Sequence, residues 1–167
     1  MKPREMRIRT GISLCGTVLA VAIVACMFPV RASAQKAVAR GKSFAQKLVE
    51  ATLAKHPEAD EVGISTYTRH GCVGIASTDK DDIGEKCEKD DLAPMQTGKP
   101  YVEKEKDGFD VSVPLHDSAG KMIGSLGIGF KQATGQTEAS VTAQAQKIAA
   151  ELEPQIASKA KLFERSE

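Results

Sequence analysis

The chain is 167 residues long, with 23 Lys and Arg against 22 Asp and Glu, a formal net charge of +1 and no tryptophan. A balance so near neutrality excludes the basic footprint of a nucleic-acid-binding protein. The length allows one ordinary domain built on a single core.

Lys2, Arg4, Arg7 and Arg9 stand against Glu5 in the first ten residues, and an uncharged stretch follows from Thr10 to Val30. Pro29 and Arg31 close that stretch, and Ala32-Ser33-Ala34 places small residues where signal peptidase accepts them, in front of Gln35. Residues 1–34 therefore read as a signal peptide, which predicts a periplasmic or other extracytoplasmic protein. Two alternatives stay open. The 19 residues from Ile12 to Val30 are just long enough to remain as an uncleaved membrane anchor, and Ile23-Val24-Ala25-Cys26 fits a loose lipid-attachment box at Cys26.

Removing residues 1–34 leaves 133 residues with 18 basic and 21 acidic side chains, a charge of −3. Cys15 and Cys26 leave with that segment, so Cys72 and Cys87 remain in an oxidising space. A disulfide between them is expected, worth roughly 3 kcal/mol for a loop of about 15 residues. The competing reading is a thiol-redox or haem-associated pair that also uses His70, but no Cys-x-x-Cys or Cys-x-x-Cys-His spacing favours it.

From Lys36 to Lys55 the apolar residues Phe44, Ala45, Leu48, Val49 and Leu53 recur at helical spacing. His56-Pro57 stops this first helix. From Asp60 the period becomes two, with Val62, Ile64, Thr66 and Thr68 on one side of a strand and Ser65, Tyr67 and Arg69 on the other. His70-Gly71 turns into a second strand from Cys72 to Thr78. The run Asp79 to Asp91 holds seven carboxylates in 13 residues and reads as a solvated loop. Its glycine and its glutamates fall in the wrong places for a calcium loop.

Leu92 to Gln96 predicts a short helix, capped at Asp90 or Asp91 and ended by Thr97-Gly98. Three strands follow, Tyr101 to Glu105, Phe109 to His116 and Met122 to Lys131, turned at Asp107-Gly108 and Asp117-Ser118-Ala119-Gly120. The last strand sets Ile123, Ser125, Gly127 and Gly129 against Gly124, Leu126, Ile128 and Phe130. Three glycines on one strand predict another backbone or a ligand close against the sheet. From Thr137 the helical period returns through Val141, Ala145, Ile148, Leu152, Ile156 and Phe163, with Pro154 set to kink or split it. The spacing is that of a packing seam, which either buries against the domain or forms a homodimer.

This order of elements resembles an extracytoplasmic sensor domain of the Cache type, related to PAS domains. Three short motifs carry the resemblance: Ile75-Ala76-Ser77-Thr78-Asp79 followed by Asp82-Ile83-Gly84; Gly98-Lys99-Pro100-Tyr101; and Val113-Pro114-Leu115-His116-Asp117 turning into Gly120-Lys121-Met122-Ile123-Gly124. The resemblance spans Lys36 to about Lys131. It implies an α+β fold, a five-stranded antiparallel PAS/Cache-like sheet with a long N-terminal helix, a short helix over the sheet and a C-terminal helix. The division that follows is a signal peptide at 1–34, a Cache-like domain at 35–135 and a C-terminal amphipathic helix at 136–167.

Such a scaffold holds a small molecule between the sheet and the layer over it, and does no chemistry on it. Most relatives hang between two membrane helices, whereas this chain resembles a free-standing form, one that binds its ligand alone or signals through a membrane sensor or transporter partner. The ligand class stays open, because dicarboxylate sensors of this kind carry Arg and His where Ala76-Ser77-Thr78 stands here. The polar residues best placed for a ligand are Tyr67, Arg69, Ser77, Lys99 and Tyr101, and an arginine grips a carboxylate with two parallel hydrogen bonds. No nucleophile elbow, phosphate loop or His-Glu-x-x-His is written in the chain, so no catalytic residue, metal or cofactor is expected.

Overall fold

The computed structural model describes residues 41–165. The expected signal segment, with Cys15 and Cys26, lies outside the described residues, as do residues 36–40 of the expected first helix. Five strands form one antiparallel sheet in the order β2-β1-β5-β4-β3. They are β1 (Ala59–Thr68), β2 (Gly71–Ser77), β3 (Tyr101–Glu105), β4 (Gly108–His116) and β5 (Met122–Lys131). The α+β class and the five-stranded antiparallel sheet are those the sequence predicts.

The sheet has two chemically different faces, which follow from the period of two along each strand. Val62 and Ile64 of β1, Leu126 and Ile128 of β5, and Val111, Val113 and Leu115 of β4 are all buried on one face. Helices α1 (Phe44–Lys55) and α3 (Glu138–Leu152) cover it with Leu48, Val49, Val141, Ile148 and Leu152. The other face carries Glu61, Gly63 and Ser65 of β1, Ser125, Gly127 and Gly129 of β5, and Asp110 and Ser112 of β4. It is too polar to seed a core, and α2 (Lys89–Thr97) with the loop before it lies over it.

The ends of the helices differ from the sequence reading in two places. α1 does not run through from Lys36: Ser43 is extended, and its hydroxyl accepts from the Gln46 N–H at 3.1 Å, so the helix begins at Phe44. α2 begins one turn earlier than Leu92. Glu88 is its N-cap, and the Glu88 N–H donates to the Asp91 carboxylate at 3.2 Å. Its other end is as predicted, with Gly98 in the left-handed conformation at φ 68°.

Pro154 splits the last helix as expected. After α3 the chain makes a 3-10 turn at Glu153–Gln155 and a final single turn, α4 (Lys159–Leu162). Along the predicted seam, Val141, Ala145, Ile148, Leu152 and Ile156 are buried in the chain's own core, while Phe163 is exposed. Residues 136–165 therefore complete the same core as the sheet. The Ile156 carbonyl accepts from the Ser118 N–H at 2.8 Å, which ties the β4–β5 turn to this segment. Among the described residues no helix is long and apolar enough to cross a membrane.

Candidate functional site

The segment between β2 and α2 is a strap docked on the edge of β2. The Gly74 N–H donates to the Glu85 carbonyl at 3.0 Å, the Gly84 N–H to the Gly74 carbonyl at 2.9 Å, and the Cys87 N–H to the Cys72 carbonyl at 3.2 Å. Cys72 and Cys87 are disulfide-bonded, with their Cα atoms 5.3 Å apart. A Cβ at Gly74 would stand 2.7 Å from the Asp82 carbonyl oxygen, so the strap approaches this closely only because residue 74 is glycine. The strap satisfies backbone groups that an edge strand otherwise exposes. The freely solvated loop read from its charge is therefore corrected: part of that charge faces inward.

Between strap, α2 and sheet lies a cavity of about 400 Å³. Gly63, Gly127 and Gly129 form its floor, and Glu61 and Asp110 stand on either side of Gly129, each paired with it across a strand boundary. Asp82 comes from the strap, and Asp90 and Asp91 from the first turn of α2. Among the described residues, seven carboxylates and one lysine, Lys86, line the space. Gly63 and Gly127 are not glycine for want of room, since a Cβ there would meet its neighbours at ordinary contact distances of 3.7 Å and 3.6 Å. What their missing side chains leave is open space above the sheet.

The hydrogen bonds around the carboxylates centre on Ser77, at the end of β2. Its Oγ lies 3.3 Å from Glu61 Oε1 and 3.2 Å from Asp82 Oδ2, and accepts from the Asp79 N–H at 3.0 Å. One hydroxyl proton thus faces two carboxylates and donates to one at a time. Gln46 of α1 fixes the Ser77 backbone, donating to its carbonyl at 2.8 Å and accepting from its N–H at 3.3 Å.

Burial, and after it the facing Asp82 carboxylate, push the Glu61 carboxyl up to about 7. Burial and the nearby Asp90 charge push Asp110 up to about 6. Asp91 is also raised by burial, in part offset by a hydrogen bond from the Ser65 hydroxyl. Ser125, directly opposite Ser65 on the same face, is fully buried and its Oγ has no hydrogen-bond partner among the described residues.

Of the five residues singled out from sequence, Ser77 alone lines this cavity. Tyr67 is 48% exposed and lines a second cavity of about 390 Å³, with Lys121 and Lys159. Arg69 is exposed, its Nε donating to His70 at 2.8 Å. Lys99 is exposed beyond the end of α2, where its N–H donates to Thr97 Oγ1 at 3.1 Å. The Tyr101 ring, half-buried, lies 5.2 Å from Lys89 Nζ. The sequence reading passed over Glu61 and Asp110, and took Asp82 only as part of a motif and of the acidic loop. A signal for Asp110 was present, a lone acid between Phe109 and Val111 in an otherwise apolar strand.

No family model matches the chain, and no curated protein matches it. Solved structures similar to it include the repressor BlcR of Agobacterium tumefaciens, 12% identical over 73% of this chain and 68% of that one, with a TM-score of 0.48. The GAF domain of a two-component sensor histidine kinase from Bacillus halodurans is 13% identical over 70% of this chain and 91% of that one, with a TM-score of 0.47. A type II free methionine-R-sulfoxide reductase from Thermoplasma acidophilum is 18% identical over 63% and 86%, with a TM-score of 0.39. A repressor, a sensor and an enzyme at such scores carry no functional argument, which rests on the cavity itself.

Proposed function

We propose that the chain is an exported ligand-binding domain of the sensor type, in which a small molecule sits between the polar face of the sheet and the strap, and no chemistry is done on it. One observation carries this reading: a cavity of about 400 Å³ whose floor includes Gly63 and Gly127, two glycines with room for a side chain. That volume is in the range of small-molecule sites. The domain division that goes with it is a signal segment at 1–34, a Cache-like domain at 35–135 and a C-terminal helical segment at 136–167, broken at Pro154. Export is supported by the residue pattern before Gln35 and is compatible with the Cys72–Cys87 disulfide. The bound state would then be read by a separate membrane sensor or transporter.

A thermal-shift screen of the purified protein against organic acids, amines, amino acids, sugars and metal salts tests the reading. A ligand at 100 times its Kd adds about 2.7 kcal/mol to stability. The expected result is a rise in Tm with one chemical class, lost in Gly127→Leu, which fills the floor. A screen in which nothing shifts Tm overturns it.

A further inference from the structure

Resting on the reading of this cavity as a ligand site, we propose that its ligand is a small organic cation, an aliphatic amine or guanidine, whose N–H groups bond to Glu61, Asp82 and Asp110.

The charge of the walls selects the class. Lys86 alone opposes the seven carboxylates, and the ion pairs formed by Lys42, Lys55 and Lys161 lie elsewhere, with Glu50, Glu151 and Glu164. An anion entering this space meets net repulsion, with Lys86 as the single opposing charge among the described lining residues, and low local dielectric strengthens it. The cations expected to grip an acid, Arg69 and Lys99, are outside the cavity.

The hydrogen-bond inventory selects the same class. Glu61 and Asp82 share the single hydroxyl proton of Ser77, and the lining holds seven carboxylates against the hydroxyls of Ser65 and Ser77 and the ammonium of Lys86. The site is rich in acceptors and poor in donors. An ammonium brings three donors and a guanidinium five, and neither brings an acceptor. A buried carboxylate without a donor is costly, and a cation removes that cost for several at once.

Geometry favours a molecule over a bare metal ion. Among the described residues no three His, Cys, Asp or Glu side chains converge as metal ligands do. Glu61 and Asp110 stand two strands apart across Gly129, about 10 Å between backbones from the spacing of neighbouring strands. That separation suits an elongated cation lying along the glycine floor.

Isothermal titration calorimetry on the purified protein near pH 8 tests this with putrescine and agmatine as cations, succinate and benzoate as anions, inositol as a neutral compound and calcium chloride alone. A cation should bind with one-to-one stoichiometry. Asp110→Asn and Glu61→Gln should each weaken it by about tenfold or more, the equivalent of one pKa unit of charge interaction. Arg69→Ala and Lys99→Ala should leave affinity unchanged. Affinity should also fall about tenfold from pH 8 to pH 5.5, because the carboxylates take up protons while the amines stay charged.

Binding of succinate, benzoate or inositol that is lost in Gly127→Leu overturns the cationic class and keeps the ligand site. Calcium binding that is lost in Asp110→Asn makes this a metal site and overturns it as well. If no compound of any class binds, the inference and the ligand-site reading fall together. Should Gly127→Leu not fold, Gly127→Ala, whose methyl fits at 3.6 Å from Ser112 Oγ, takes its place with a smaller loss.

Discussion

Asp110 and Glu61 place a measurable mark on stability. Both carboxyls hold their protons to higher pH in the folded chain than in the unfolded one, about 6 against 3.8 for Asp110 and about 7 against 4.5 for Glu61. The stability they contribute is complete below the unfolded values and is lost as pH rises through about 6 to 7. Without ligand, Tm should therefore fall between pH 4 and pH 8. Asp110→Asn should flatten part of that fall and raise stability at pH 8 by about 1–2 kcal/mol, allowing for solvent screening. Thermal melts of the two proteins across the pH range check this, and parallel curves would contradict it. Ser77→Ala, which removes the hydroxyl between Glu61 and Asp82, should cost about 1 kcal/mol or more in a urea melt. At this scale residue type says less than position in the sheet. Arg69 and Lys99 drew attention as anion-gripping types, but a residue's function here depends on which face of the sheet it occupies. Asp110 is a wall residue because the pairing of β4 with β5 sets it beside Gly129.

The strap and the glycine strand are the elements that make the cavity. Cys72→Ser combined with Cys87→Ser should lower stability by up to about 3 kcal/mol and loosen the strap that carries Asp82. A denaturant melt reads the first effect, and faster amide exchange at Gly74 and Gly84 reads the second. Exchange unchanged from wild type would show that the backbone bonds alone hold the strap. Two glycines of β5 should respond oppositely to the same change. A Cβ at Gly124 would lie 2.3 Å from the Ser65 carbonyl oxygen, so Gly124→Ala must displace backbone and should lower Tm by many degrees. Gly127→Ala meets only ordinary contacts and should leave Tm nearly unchanged while weakening ligand binding. Most elements were legible from period and punctuation: β3 and β5 begin and end where predicted, and Pro154 splits the last helix. The docking of the strap was not, because it depends on backbone bonds between Gly74 and residues 84 and 85 that no local pattern encodes.

As a whole the described chain is one sheet with an apolar face buried under α1 and α3 and a polar face under the strap and α2. α1 and α3 close the first with residues such as Ile148, 1% exposed, and Ile148→Ala should cost about 2–5 kcal/mol. The second face keeps its carboxylates at the expense of stability, a common feature of binding sites. This division was visible in outline from the alternation along β1 and β5. What alternation alone does not reveal is that one face gathers charge from β1, β4, the strap and α2, since those residues lie far apart in the chain. The most direct test of the account is an amide chemical-shift titration with putrescine, the spectrum recorded near pH 7.5. The account predicts saturable shifts concentrated at Gly63, Gly127, Gly129 and the strap around Asp82. Shifts centred on Lys121 and Lys159 in the second cavity, or none at any concentration, would contradict it.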